Sequence, residues 1–152
     1  MENYKFSTLE YKRPDLEAYR AQLVQWKAAV EHAESYAALR ELISEIDLKN
    51  CELFTQYSIA HVRHTLDTRD EFYEAEINYL QDTMPTISGD SVALSEAIAS
   101  SPFRADIESE FGKQYFVSMD IQKKMFCEAN IPLRQQESRL TNEYQKIMAT
   151  AE

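Results

Sequence analysis

Apolar positions along this chain recur at helical spacing. Pro14 and Asp15 open the first run. Proline suits a first helical turn because it has no N–H to lose there, and an acid suits the positive end of a helix. Leu16, Tyr19, Leu23, Trp26, Val30 and Ala33 follow at steps of 3, 4, 3, 4 and 3, which places all six on one stripe. Ser35 is a good N-cap for a second helix. Its stripe runs Tyr36, Leu39, Ile43, Ile46, then Leu53 or Phe54, Tyr57 and Ala60, with Asn50 and His64 as polar interruptions, and it reaches about Leu66. A third helix starts near Thr68–Asp70 and carries Tyr73, Ile77, Leu80, Met84, Ile87, Leu94 and Ile98. Pro85 and Gly89 fall inside it. A kink or short break is expected there, because proline removes a backbone bond and clashes with the preceding turn.

Ser101-Pro102 restarts a helix through Phe103, Ile107, Phe111, Tyr115, Met119, Gln122 and Phe126, with a bend expected at Gly112. Asn130, Ile131 and Pro132 mark the next boundary. The last helix carries Leu133, Leu140, Tyr144, Ile147 and Ala151. The pattern therefore predicts an all-α fold: an antiparallel bundle of about five helical segments, forming one domain over residues 1–152. A loosely alternating, extended lead-in over residues 4–13 (Tyr4, Phe6, Leu9, Tyr11) precedes it. The last helix meets the C-terminus with no Gly, Pro or capping signal, so the natural chain is expected to continue beyond Glu152. Second-face residues outside the main stripes, Phe72, Tyr79, Phe116, Ile121 and Met148, are candidates for contact with such a continuation, or with a second copy in a symmetric homodimer.

Composition reinforces the helical reading. Only 2 Gly and 4 Pro occur in 152 residues, too few chain breakers for a turn-rich β protein. The net charge of −10 argues against nucleic acid and against an anionic membrane surface, since both need clustered Lys and Arg. No stretch approaches the roughly 20 apolar residues of a membrane helix, and the N-terminus lacks the apolar region of a secretory signal. A cytoplasmic location follows. Cys51 and Cys127 have no paired or metal-type spacing and read as two reduced thiols.

The search for chemistry finds no catalytic, cofactor-binding or metal-binding residue to nominate. His61-Val-Arg-His64 could share a helical face, but two histidines are too few for a closed site, so packing or surface roles are expected. No Glu-x-x-His pair of the di-iron type is present, because Ala29, Ser58 and His61 stand three residues before the three histidines. Neither cysteine has a neighbour that would activate it. Two glycines cannot supply a phosphate loop. Glu71, Glu74 and Glu76 read as a solvated helix face, and the 9 Tyr and 7 Phe read chiefly as core, with some tyrosines available to line a peptide groove.

Three segments carry more: FSTLEYKRPDLEAY at 6–19, RHTLDTRDEFYEAE at 63–76 and SPFRADIESEFGKQYF at 101–116. In order and spacing they resemble the N-terminal helices of oligoendopeptidase F-type zinc metallopeptidases, and NEYQKIMATA at 142–151 is also similar. The middle segment is the most specific, through Arg63, His64, Asp67, Thr68, Asp70, Phe72 and Tyr73 together. In this reading Asp67 or Thr68 caps the third helix, and Phe72 and Tyr73 anchor the corner in the core. The resemblance implies a cytosolic, largely helical parent enzyme that hydrolyses oligopeptides in an internal cavity. Its zinc, which polarises the scissile carbonyl and activates water, would sit on a His-Glu-x-x-His helix far downstream. This chain has no counterpart of that motif. The implied role is scaffold and channel wall beside a C-terminal catalytic part, with no cofactor in the chain itself. The rival reading is a free-standing helical domain whose groove takes a partner helix or peptide.

Overall fold

The computed structural model describes residues 5–150, which form six α-helices and two short 3₁₀ turns, at Phe6–Thr8 and Glu128–Asn130. The helices are α1 (Leu16–Glu31), α2 (Tyr36–Leu66), α3 (Glu71–Ala99), α4 (Arg104–Phe111), α5 (Lys113–Met125) and α6 (Ile131–Thr150). Tyr4 and Ala151, named above, lie outside the described residues. No strand occurs among those described, and the fold is all-α.

Side-chain caps set three of the helix starts. The carboxylate of Asp15 accepts from the N–H of Ala18, the hydroxyl of Ser35 from that of Ala38, and the carboxylate of Asp70 from those of Phe72 and Tyr73. Pro14 thus stands outside the first turn of α1, one residue before its cap. Asp70, rather than Asp67 or Thr68, caps α3. Asp67 ends α2 and accepts from the N–H of Arg69 at 3.0 Å.

Cross-helix contacts fix the directions. Tyr19 reaches Asn50 and Trp26 reaches Glu45, so α1 and α2 are antiparallel. Arg63 reaches Tyr73 across the tight α2–α3 corner. Pro14 meets Tyr79 and Arg20 meets Asp90, so α1 runs parallel to α3. On the other side of α3, Lys123 pairs with Glu96, while Arg139 pairs with Asp82 and Lys146 with Glu74. Phe126, at the end of α5, lies beside Gly89, so α5 runs antiparallel to α3 along its C-terminal half, and α6 runs antiparallel to it along its N-terminal half. α3 is the spine, in contact with α1, α2, α5 and α6.

The stripes read from the sequence form the core. Leu16, Leu23, Trp26 and Val30 of α1 pack with Leu39, Ile43, Ile46 and Leu53 of α2 and with Ile77, Leu80, Ile87, Leu94 and Ile98 of α3. Leu53 takes the inward place and Phe54 is exposed. Burying each such side chain is worth about 1.5–3 kcal/mol.

Several expectations are corrected. α3 is one uninterrupted helix through Pro85 and Gly89. Inward residues continue on both sides of the proline, so their burial outweighs one missing backbone bond. The bend at Gly112 is a full break: its φ of 83° lies in the region that favours glycine, and it separates α4 from α5. Beyond the break Tyr115 and Met119 pack against the core, as their stripe predicts, and Phe116, outside that stripe, is buried as well. Phe116 and the half-buried Tyr79 therefore belong to the body of the fold, whereas Phe72, Ile121 and Met148 are exposed as expected of second-face residues. The exposure of Phe72 also removes it from the core-anchor role, which Tyr73 fills alone. Finally, the apolar stripe of α6 faces outward: Leu133, Leu140, Tyr144 and Ile147 are each 58–65% exposed.

Leu23, at the middle of the α1 stripe, is 2% exposed, and its neighbour Val24 is 57% exposed. Leu23→Ala should destabilise the protein by roughly 2–5 kcal/mol, and Val24→Ala should leave it within about 0.5 kcal/mol. Denaturant melts on the two variants check this.

Candidate functional site

The first and middle segments picked out from the sequence dock onto each other. Glu76 is 2% exposed, on the inward side of α3. Its carboxylate accepts from Arg13 Nε at 2.8 and 3.0 Å, from Arg13 Nη2, and from the Tyr11 hydroxyl at 2.7 Å. The Arg13 guanidinium holds the Glu76 carboxyl below its ordinary value, burial opposes this, and the Tyr11 hydroxyl adds to the lowering. Tyr11 itself is pushed up, by burial first and by Glu76 second. Arg63 donates to the Leu9 carbonyl and to the Tyr73 hydroxyl, and the Tyr11 ring meets Phe72 and Tyr73 edge-on at 6.1 and 5.8 Å. The lead-in is thereby strapped across the α2–α3 corner. Glu76 is not part of a solvated face, as the sequence reading had it. The usable signal was its position three residues after Tyr73 and four before Leu80, on their stripe.

The third segment closes the far end. Tyr36 and Arg40 of α2 both donate to Glu110 of α4. Arg104 lies over the Phe116 ring at 3.9 Å and donates to the Ala99 carbonyl at 2.8 Å.

None of the sequence-level candidates assembles a reactive centre. His61 is exposed and stacks on Tyr57 at 5.9 Å, whereas His64 is buried. Both ring nitrogens of His64 lack a hydrogen-bond partner among the described residues, and burial lowers its pKa. Of its charged neighbours, Glu74 and Asp70 act upward, Lys146 and His61 downward. Cys51 and Cys127 are free and exposed. Glu74 pairs with Lys146, and Glu71 is exposed. No group of three or more His, Cys, Asp or Glu among the described residues is placed to hold a metal. Zinc takes four ligands in a structural site and three in a catalytic one. The described residues do not fit it.

What sequence periodicity missed is a groove of about 550 Å³. α3 forms its floor through Ile87, Ser88, Ser91 and Ser95. One wall is α2, at Asp47, Asn50 and Phe54, and the other is α5, at Tyr115, Met119 and Gln122. The volume is within the range of ligand sites. The three floor serines donate to carbonyls of their own helix and so present acceptor oxygens to the groove. Burial, with Asp47 nearby, pushes Tyr115 up to about 12, and burial raises Asp47 and Tyr19 as well. Among the described residues no histidine lines the groove, and Asp47 is its one carboxylate. This is a surface for apolar contact and hydrogen bonding, without a nucleophile–base pair.

Residues 6–126 match the family model described as the Peptidase M3 N-terminal domain. The chain belongs to the M3 peptidase family. It is also similar to solved structures of larger members. A PZ peptidase A with an inhibitor is 33% identical with a TM-score of 0.90, and an oligoendopeptidase F is 34% identical with a TM-score of 0.91. Each overlay takes in 97% of this chain and 26% of the other. An oligoendopeptidase F from Bacillus anthracis str. Ames is 26% identical, at 95% and 27% coverage and a TM-score of 0.90. No curated protein matches the chain. The chain thus spans about a quarter of the length of the solved M3 structures it overlays.

Two outcomes test the site chemistry. Glu76 titrates lower in the folded protein than in the unfolded chain, so its stabilisation is present above the ordinary value of 4.5 and is lost as pH falls through the lowered one. Melts between neutral pH and pH 3 should show this acid-side loss, and a shallower one in Glu76→Gln. The lowered pKa of His64 likewise makes stability fall as pH drops below the ordinary 6.5. His64→Leu should remove that slope and hold or raise the melting temperature at neutral pH, because an unpartnered polar ring is replaced by an apolar group.

Proposed function

We propose that this chain is the N-terminal helical portion of a zinc metalloendopeptidase acting on oligopeptides, and that it supplies scaffold and channel wall rather than catalytic groups. The observation that carries this is the match to the M3 N-terminal domain over most of the chain, beside solved relatives about four times as long. The zinc and the groups that activate water belong to the remainder of the parent, because the donor set here does not fit the metal. A net charge of −10 and the absence, among the described residues, of any helix long and apolar enough to cross a membrane agree with a cytoplasmic enzyme. The groove between α2 and α5 fits a wall that holds peptide side chains in apolar contact while offering acceptors to backbone N–H groups.

That groove also favours the second reading, a domain that binds a peptide or helix on its own account. A chimaera separates the two. The matching quarter of the 34%-identical oligoendopeptidase F is replaced by this chain. Hydrolysis of an internally quenched oligopeptide is then followed, with metal analysis of the chimaera and of the isolated chain. The expected result is zinc and hydrolysis in the chimaera and neither in the isolated chain. A folded, zinc-loaded chimaera without activity would sink the reading. So would hydrolysis by the isolated chain, or tight zinc binding by it that disappears when His61 and His64 are replaced.

A further inference from the structure

α6 is attached by the side of the helix that an amphipathic helix ordinarily gives to water. Four residues at steps of 4, 3 and 4 hold it to α3, and all are polar. Gln135 donates to the Asp82 carbonyl, Arg139 to the Asp82 carboxylate at 3.0 and 3.1 Å, Asn142 to Asn78 and Gln81 at 3.1 and 2.7 Å, and Lys146 to Glu74. Leu133, Leu140, Tyr144 and Ile147 point the other way, about 140° around the helix at roughly 100° per residue. None of the four is buried. A helix that gives its polar side to the fold and its apolar side to solvent is inverted with respect to this body. Its pattern makes sense if a second body covers the apolar stripe.

We propose that this outward stripe of α6 is the seat on which the catalytic part of the peptidase docks. Three observations choose that occupant. The family model of the N-terminal domain stops at residue 126, so α6 lies beyond it. The overlays with the two solved relatives nevertheless take in 97% of this chain, which leaves too few unmatched residues to omit a 20-residue helix. In those relatives the equivalent helix therefore belongs to a chain of which three-quarters lies elsewhere. A second copy is the poorer occupant, because two chains of net charge −10 repel across a symmetric interface.

The proposal rests on the peptidase reading, and the test keeps the two apart. Leu140→Gln with Ile147→Gln removes the stripe while keeping good helix formers; Val24→Gln, an exposed apolar change on α1, is the control. Each is made in the isolated chain and in the chimaera. Thermal melts, sedimentation, limited proteolysis and peptide hydrolysis are read. In the isolated chain the double variant should melt with the wild type. In the chimaera it should free this domain for proteolysis and lower hydrolysis by roughly tenfold or more, equivalent to about 1.4 kcal/mol, with Val24→Gln silent in both. A double variant that unfolds the isolated chain would place the stripe in the domain's own core and overturn the proposal. A chimaera indifferent to the change would overturn it and leave the peptidase reading standing, with the interface on another face. A wild-type homodimer that the double variant abolishes, and that persists in the chimaera, would give the stripe to a second copy. A wild-type chimaera that is folded and zinc-loaded but inactive would remove the peptidase reading and this proposal with it.

Discussion

A carboxylate sealed inside a helical bundle has to be matched, and much of this structure is arranged around matching Glu76. A buried charge without partners costs several kcal/mol. Here the partners come from Tyr11 and Arg13, in the segment that lacks regular structure apart from one 3₁₀ turn. Besides these bonds, the Tyr11 ring packs against Phe72 and Tyr73. The segment's attachment depends on this cluster and on Arg63 gripping the Leu9 carbonyl. Because Asp15 caps α1 only two residues after Arg13, the same anchor sets where α1 begins, and so where Leu16 enters the core.

The lines of force then run through α3. It receives the lead-in and α1 along one side, α2 through the tight corner, and α5 and α6 along the other side. This explains why Pro85 does not break it. A helix contacted nearly all round has too much inward surface before and after the proline to separate into two. Gln135 of α6 supplies an amide N–H to a carbonyl in the turn just before Pro85, where the backbone pattern is disturbed.

Helix starts and inward stripes were legible in the sequence because their causes are local. Ser35 bonds to an N–H group three residues on, and a stripe such as Leu16–Leu23–Trp26–Val30 is a matter of spacing alone. What could not be read is what depends on partners distant in the chain. Glu76 finds Arg13 across 63 positions. The groove needs residues of α2, α3 and α5 that only the packing of the spine brings together. The amphipathic pattern of α6 announced an apolar face, but periodicity says only that a face exists and not which body covers it. The burial of Phe116 was missed because Arg104, which lies over its ring, comes from α4 across the break at Gly112.

That glycine has a consequence of handedness. Gly112 sits at φ 83° and ψ 162°, a region essentially closed to L-residues, and a Cβ built there meets nothing within 4 Å. The objection to a side chain at this position is therefore wholly a matter of backbone chirality and not of room. An L-alanine would strain the joint between α4 and α5. A D-alanine, whose allowed regions are the mirror image, would meet no such backbone strain and would narrow the freedom of the unfolded chain. The joint between these two helices thus asks for the opposite stereochemistry from every other described residue of the chain, and glycine is the one genetically encoded amino acid that can meet the request.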